Sequence, residues 1–364
     1  MERRRFLQTA LAVPALATMP SAVRDVIAAE QAEGWRTFET VTKVEIDFPD
    51  GVARAWVPLP LTEKTDWHRP LGNKWTGNGV MRIEKDPKYG AEMLYAEWKP
   101  NTADAVVEVT SRFQTRDRAV DLSKPRANAP KLSAAEAKFE TAPTELIPTD
   151  GIVRETALEI TKSAKSDVEK AYALYEWIVV NTYREPTVRG CGWGDIKSML
   201  ETKNYGGKCG DLNALFVGLA RSINIPARDV YGVRIAPSKF GYKSMGLGSP
   251  SATKGQHCRA EFFAQGFGWV PVDPADVRKV ILEEPPGKLA IDDPKVVAMR
   301  KKLFGAWEMN WLAYNTAHDL KLPHSSGPKI SYLMYTNGEA GSKVLDQLDP
   351  DTFKYSITAK EITA

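Results

Sequence analysis

The sequence contains few cysteines and histidines and little net charge, and each shortage excludes a class of protein. There are three cysteines and four histidines among 364 residues, and the formal net charge is +3. Three cysteines cannot form the disulfide framework on which small secreted domains depend. So weak and dispersed a charge argues against nucleic-acid binding. A hydrophobic fraction of 43% without repeats or low-complexity segments is typical of a folded globular protein with a large core.

The N-terminus, MERRRFLQTALAVPALATMPSAV, is similar to a twin-arginine export signal. Arg3, Arg4 and Arg5 precede a modestly apolar stretch, and we expect a signal peptide over residues 1–28 whose cleavage site is left open. An uncleaved anchor is the alternative, but prolines and threonines make this stretch a poor transmembrane helix. The sequence therefore predicts a periplasmic or otherwise exported protein without stable membrane insertion.

Strand-like and helical patterns divide the rest of the chain. Alternating apolar and polar residues, as in TVTKVEIDF and ADAVVEVTSRFQT, predict an antiparallel β domain over residues 37–115. A segment rich in proline, alanine and charge, 116–149, is predicted to be a linker. Helical patterns followed by strands predict an α+β unit over 150–287, with helices packed on an antiparallel sheet. Residues 288–364 are predicted to form a C-terminal extension or a third small domain.

The stretch NYGGKCGDLNALFVGLARSINIPAR, from Asn204 to Arg228, places a cysteine at the start of an apolar helix. The helix is predicted to run from about Lys208 to Ser222. Backbone N–H groups at a helix start lack partners and favour negative charge, so the thiolate of Cys209 would be stabilised there. A thiolate on a rigid, buried helix is well placed to act as a nucleophile.

A nucleophilic cysteine needs a base, and the predicted partners are His257 and Asp273. They lie on HCRAEFFA and GWVPVDP, two strands that the turn QGFG joins into a predicted hairpin. Alternate side chains of a strand lie on opposite faces, so we expect a polar set to face the cysteine helix and an apolar set to face a core. The polar set is His257, Arg259 and Glu261, and the apolar set is Cys258, Ala260 and Phe262. Cys258 is accordingly interpreted as a structural residue.

These segments resemble the transglutaminase-like superfamily. YGGKCGDLNALFVGLARSINIPARDV resembles the cysteine helix of the family, HCRAEFF its His-x-x-x-Glu strand, and GWVPVDP its strand that ends in Asp-Pro. GWGDIKSML, before the cysteine, is similar to the Trp-containing helix start, and the resemblance covers about residues 150–280. It implies a papain-like core of the α+β class and acyl transfer through a thioester. No cofactor and no metal is expected.

Carried over to this sequence, the resemblance implies that Cys209 is the nucleophile, His257 the base and Asp273 its partner. An upstream aromatic side chain often helps to bind the oxyanion in this family, which makes Tyr183 the candidate for that role. The residues expected to support the site, by polar contact or by packing, are Glu261 and Trp193.

The predicted substrate is a peptide or protein amide, and water or an amine would resolve the thioester. We favour a cysteine peptidase or amidase over a cross-linking transglutaminase, and a binding or assembly module without turnover is a third hypothesis. A metal site is a rival interpretation, since Cys209, His257, Cys258 and Asp273 are possible ligands. Neighbours on a strand point apart, however, and no Cys-x-x-Cys or His-x-x-x-His spacing occurs. A disulfide between Cys191 and Cys258 is left open, as is the oligomeric state.

Overall fold

The structure is a computed structural model that describes residues 33–47 and 51–363, so the predicted signal peptide lies outside the described residues. Helices occupy the middle of the chain. They are α1 (Ala134–Glu140), α2 (Gly151–Thr161), α3 (Asp167–Asn181), α4 (Ile196–Thr202), α5 (Cys209–Ser222), α6 (Pro274–Glu283) and α7 (Pro294–Lys302). None of the helices that the structure describes has the length and apolar character needed to span a membrane.

Strands precede, interrupt and follow the helices. Those before α1 are β1 (Arg36–Ile46), β2 (Ala53–Pro58), β3 (His68–Gly77), β4 (Val80–Lys85), β5 (Glu92–Trp98), β6 (Ala105–Thr115) and β7 (Arg118–Ala119). Those between α3 and α6 are β8 (Tyr183–Arg184), β9 (Gly206–Gly207), β10 (Ala227–Arg234), β11 (Gln256–Ala264) and β12 (Gly268–Val272). Those after α7 are β13 (Ala306–Trp307), β14 (Trp311–Asn315), β15 (His318–Leu320), β16 (Ile330–Tyr332), β17 (Asn337–Ala340), β18 (Lys343–Val344) and β19 (Tyr355–Ile362).

Two antiparallel sheets form the N-terminal β region. One has the strand order β19–β1–β6–β3, and the other has the order β18–β17–β2–β5–β4. Strand β6 alternates buried and more exposed residues along most of its length, as the sequence pattern predicts for a half-buried strand. Apolar side chains of both sheets share one core, in which the rings of Phe38 and Phe113 stack with centroids 5.9 Å apart.

The C-terminal residues, predicted as an extension over 288–364, add strands to sheets that begin earlier in the chain. Strand β19 pairs with β1, where Tyr355 lies opposite Val44, and β17 pairs with β2, where Asn337 lies opposite Trp56. Strand β14 instead pairs with β10 in the α+β unit. This segment therefore ties the β region to the unit that contains the cysteine helix.

The α+β unit is built on a sheet of order β12–β11–β10–β14, against which α5 packs. Strands β11 and β12 form the predicted hairpin, with Phe263 opposite Trp269. Helix α5 is buried along almost its whole length because α2, α3 and β11 pack around it. The predicted α+β class, with helices on an antiparallel sheet, is confirmed.

Helix α5 packs on the apolar face of β11, so the prediction that the polar set would face the cysteine helix is wrong for Arg259 and Glu261. The ring of Phe262 lies 6.0 Å from that of Phe216 on α5. The buried Arg259 and Glu261 point to the other side of the sheet, where Glu261 forms an ion pair with Arg118. Because both faces of β11 are buried, alternation alone does not show which face meets the helix.

Helix α6 is absent from the predicted elements, and it begins directly at the end of β12. Asp273 is its N-cap residue, and the Oδ1 atom of Asp273 accepts a hydrogen bond from the backbone N–H of Asp276 at 3.0 Å. Pro274 follows at the first helical position, where a missing N–H does no harm. The carboxylate of Asp273 is thereby fixed in orientation by the helix that it caps.

Candidate active site

Cys209 is the first residue of α5 and borders a cleft of about 370 Å³. The preceding Lys208 is extended, with φ −114° and ψ −164°, so the chain enters the helix at the cysteine. Cys209 is only 4% exposed. Its backbone N–H cannot bond within the helix, and no described residue accepts a hydrogen bond from it. A thiol and an unused hydrogen-bond donor therefore lie together at the cleft.

The carboxylate of Asp211 holds the neighbouring loops against the start of α5. Its Oδ1 atom accepts a hydrogen bond from the backbone N–H of Trp193 at 3.0 Å, and its Oδ2 atom accepts one from Lys208 at 2.9 Å. Gly192 has φ +91°, and a Cβ there would lie 1.8 Å from the Asp211 carboxylate. Only glycine permits this approach, which brings the loop with Cys191 to the helix start.

His257 and Asp273 form a buried hydrogen-bonded pair. The Nε2 atom of His257 lies 2.8 Å from the Oδ2 atom of Asp273, and neither residue is more than 4% exposed. Because this carboxylate occupies Nε2, Nδ1 is the ring nitrogen left for the thiol. The imidazole also interacts with the side chain of Cys209. The structure thus brings the three predicted residues together.

A second carboxylate, that of Asp276, lies 3.5 Å from Nε2 of His257. Both of its oxygens accept hydrogen bonds from the guanidinium of the buried Arg234, at 2.6 and 2.7 Å. Burial disfavours a charged imidazole, but Asp276 and Asp273 together outweigh burial and raise the pKa of His257. Burial alone would raise the pKa of Asp276, but the charge of Arg234 outweighs burial and holds that pKa well below its usual range. The imidazolium form of His257 is therefore favoured.

The three cysteines lie close together, and all are free, so the disulfide left open by the sequence is not formed. The neighbouring thiols of Cys191 and Cys258 outweigh burial and lower the pKa of Cys209, and His257 lowers it further. The neighbouring Cys209 raises the pKa of Cys191, and burial raises that of Cys258. Cys258 therefore has an electrostatic role beside the packing role predicted for it.

A glutamine that the sequence analysis did not single out also borders the cleft. Gln256 immediately precedes His257, and its backbone oxygen accepts a hydrogen bond from the Sγ atom of Cys191 at 3.4 Å. The Nε2 atom of Gln256 is buried and has no hydrogen-bond partner among the described residues. Such a donor is uncommon in a folded protein, since buried polar groups are nearly always paired.

The C-terminal segment forms another wall of this cleft. Tyr335, Gln347, Leu348 and Tyr355 all line it, opposite the loops that flank the cysteine. The side chain of Tyr335 interacts with that of Cys191. The segment predicted as an extension is therefore part of the site.

Tyr183, the predicted oxyanion residue, is not brought to the cleft. Its backbone pairs with that of Gly206 in the short parallel ladder of β8 and β9. Its hydroxyl donates a hydrogen bond to Oδ1 of Asn204 at 3.0 Å, and the residue is 44% exposed. Gln256, and not Tyr183, lines the cleft that Cys209 borders.

The two predicted supporting residues also lie apart from the thiol. Trp193 is 75% exposed, so the expectation that its ring packs is wrong, although its backbone is held by Asp211. Glu261 is buried on the opposite face of β11, where it pairs with Arg118 and Arg228 beside a second cavity of about 700 Å³. Glu261 therefore stabilises the packing of the sheet on its far side.

Among the described residues, His257, Asp273 and Asp276 have possible metal-ligand atoms that all lie within 4.8 Å of one another. These three side chains are not suited to bind a metal cation, because positively charged groups already lie beside their oxygens. Arg234 already binds both oxygens of Asp276, and the Nε atom of Arg259 lies 3.6 Å from Oδ2 of Asp273. Two buried guanidinium groups thus supply the positive charge that a metal would bring.

Comparison with known proteins identifies the family. A model of the transglutaminase-like superfamily matches residues 154–274, a range that contains Cys209, His257 and Asp273. An uncharacterized protein of Haemophilus influenzae is 36% identical over 326 residues, which cover 86% of this chain and 87% of that relative. Residues 154–274 form a domain of the transglutaminase-like superfamily.

The fold of this transglutaminase-like protein is similar to that of a solved structure. A candidate cysteine protease of Cytophaga hutchinsonii has a TM-score of 0.53 at 13% identity, and the match covers 90% of this chain and 98% of that one. The periplasmic domain of TgpA from Pseudomonas aeruginosa has a TM-score of 0.33 at 14% identity, covering 70% and 92%, which is too low to support an inference. Membership of the superfamily supports a cysteine acyl-transfer role at the level of the family.

Proposed function

We propose that the protein is a cysteine-dependent enzyme that hydrolyses amide bonds of peptides or proteins through a thioester. The observation that supports this most directly is the contact of Cys209, at a helix start, with His257, whose Nε2 atom is held by the buried Asp273. A thiolate, a proton donor and an orienting carboxylate are the groups that this chemistry needs. The adjoining cleft gives the amide a place to bind.

In the first step, the Cys209 thiolate attacks the carbonyl carbon, a carbon–sulfur bond forms and the carbonyl oxygen becomes an oxyanion. Cys209 and Gln256 both line the cleft, and the proposed donors to the oxyanion are the backbone N–H of Cys209 and the unpaired Nε2 of Gln256. A buried donor without a partner costs about 1–3 kcal/mol, so an oxyanion that accepts this hydrogen bond removes the penalty in the transition state.

His257 moves the protons of both half-reactions. As an imidazolium it donates the Nδ1 proton to the leaving nitrogen while the carbon–nitrogen bond breaks and the thioester remains. The neutral imidazole then takes a proton from the water that attacks the thioester, and the thiolate leaves. Asp273 stays ionised throughout and holds the ring in one orientation through Nε2.

The proposed place of this reaction is outside the cytoplasm. Its support is the sequence alone, in which Arg3, Arg4 and Arg5 precede a modestly apolar stretch similar to a twin-arginine signal. An exported enzyme of this kind would meet peptides and proteins of the cell envelope.

The test compares the wild type with Cys209→Ala and Cys258→Ala on a peptide library, measuring released amine or ammonia and incorporation of a labelled amine. We expect Cys209→Ala to remain folded and to lose at least about 10³-fold in activity. Cys258→Ala, the matched control, should lose more stability than rate.

Turnover by Cys209→Ala close to that of the wild type would contradict the proposed mechanism. Amine incorporation that outpaces hydrolysis would favour the cross-linking alternative. Peptide binding without turnover by the wild type would favour the binding module.

A further inference from the structure

The cleft beside Cys209 is lined by basic side chains. They are Arg184, Lys208, Arg234, Lys254 and Lys279. Among the described residues that line the cleft, none is aspartate or glutamate. Its volume of about 370 Å³ falls in the range of roughly 300–1,000 Å³ that is usual for small-ligand sites. The cleft next to the nucleophile is therefore lined by positive charge and large enough for a small ligand.

Carboxylates behind the cleft wall neutralise only part of this charge. Asp276 binds Arg234 with both oxygens, and this pair is buried. Glu283, by contrast, forms ion pairs with both Arg184 and Lys279, and the pair with Lys279 has a distance of 3.7 Å. The negative charge of one carboxylate is thus divided between two cations.

The charges of the remaining two lysines, Lys254 and Lys208, are only weakly neutralised by neighbouring carboxylates. Lys254 lies 3.4 Å from Asp351, but these side chains are 74% and 85% exposed, and such a pair is screened by water. Lys208 interacts with Glu185, whose Oε1 atom is already bound by the backbone and hydroxyl of Thr187. Glu185 therefore pairs only weakly with Lys208, the lysine next to the nucleophile.

Lys279 lies among these cations on α6. It is half-buried, and burial is the main cause that lowers its pKa, with a further lowering by Arg234 that Asp276 and Glu283 oppose. Because the lining of the cleft has five basic side chains and no acidic one, an anion entering the cleft would be attracted.

We infer that the substrate carries a carboxylate next to the amide that Cys209 attacks, so that acidic peptides are the substrate class and Lys208 and Lys279 the residues that recognise them. The carboxylate could come from a glutamate or aspartate side chain or from a free C-terminus. The inference rests on the proposed function for the reaction, but its binding component can be measured without turnover.

The experiment measures the Kd of paired short peptides for the Cys209→Ala protein. One pair differs by Glu or Gln at a single position, and another by a C-terminal acid or amide. We expect the acidic member of at least one pair to bind about tenfold more tightly at low ionic strength, and less so in high salt. The pair that shows the preference identifies the source of the carboxylate.

Added to Cys209→Ala, the substitutions Lys279→Gln and Lys208→Gln should each bring the ratio of the two Kd values towards one. Lys162→Gln, at an exposed lysine that does not line the cleft, should leave the ratio unchanged. Equal Kd values within both pairs would overturn the inference, as would a ratio that neither cleft substitution alters.

Turnover of the same peptides by the wild type separates this inference from the proposed function. Acid-selective binding without turnover would contradict the proposed function and leave the inference standing. Turnover of neutral and acidic peptides with equal kcat/KM would contradict the inference alone.

Discussion

The Nε2 atom of His257 lies 2.8 Å from the Oδ2 atom of Asp273, although sixteen positions separate the two residues in the chain. The hairpin of β11 and β12 brings them together, and the start of α6 then fixes the carboxylate through its other oxygen. An imidazole held in this way has one orientation and one free nitrogen. Changes to the carboxylate should therefore alter the pH dependence of the reaction as well as its rate.

Asp273→Asn removes the charge but keeps the size of the side chain and its ability to cap α6. We expect a folded protein with kcat/KM lower on the order of 10²-fold. Because the carboxylate raises the pKa of His257, its loss lowers that pKa. The imidazolium is lost as pH rises through this pKa, so the alkaline limb of the pH–rate profile should move to lower pH. An alkaline limb at the wild-type position would contradict the assigned role.

Cys191→Ala and Cys258→Ala each remove a neighbouring thiol that lowers the pKa of Cys209. That pKa should rise in both variants, so the thiolate would form at higher pH and the acid limb of the pH–rate profile would move upwards. The measurement is the rate of alkylation of Cys209 by iodoacetamide against pH, with the adduct located by mass spectrometry. Cys191→Ser, which keeps an O–H donor, should restore part of the shift. An acid limb that neither alanine variant moves would show that the thiols do not act on Cys209.

Gln256→Leu removes the proposed oxyanion donor while keeping a side chain of similar volume. We expect kcat to fall by about 10²–10³-fold, as for other single oxyanion donors. Alkylation of Cys209 by iodoacetamide forms no oxyanion, so its rate should not change. Gln347→Leu is the matched comparison, because Gln347 lines the same cleft but its unpaired atom is the acceptor Oε1. Equal losses of kcat in the two variants would rule out the donor role of Gln256.

The elements that position Cys209 and His257 were predictable because their signals are local. Helix α5 was predictable from an apolar run that two glycines and a lysine precede and an Ile-Pro pair ends. The β11–β12 hairpin was predictable from alternating residues around QGFG. The fold class could be predicted for the same reason. The approach of His257 to Asp273 then depends only on the pairing of two neighbouring strands.

The contacts that tune the site could not be read from local signals. Arg234 and Asp276 are 42 positions apart, and no periodic pattern connects them. An Asp-Pro helix start at Asp273 is nevertheless a recognisable signal, and it would have placed Asp276 one turn into a helix beside His257. The packing face of β11 and the unpaired amide of Gln256 depend on the second layer of the protein, which alternation does not specify.

Replacing Arg3, Arg4 and Arg5 together by lysine tests the proposed export. The receptor of a twin-arginine signal reads the arginines themselves and not their charge, so the variant should stay in the cytoplasm. Cell fractionation with immunodetection measures the distribution. Arg24→Lys, in the same segment but outside the arginine run, is the control and should be exported normally. Undiminished export of the triple variant would indicate a general secretory signal or an anchor.

The most direct measurement of the central claim is the detection of an acyl-enzyme on Cys209. Wild-type protein is mixed with an activated peptide ester, quenched in acid within one turnover and digested for mass spectrometry. We predict that the acyl group is found on Cys209, that neutral hydroxylamine removes it as expected of a thioester, and that Cys209→Ala carries none. Turnover of the ester without acylation of Cys209, or acylation equally present at Cys191 or Cys258, would contradict the mechanism.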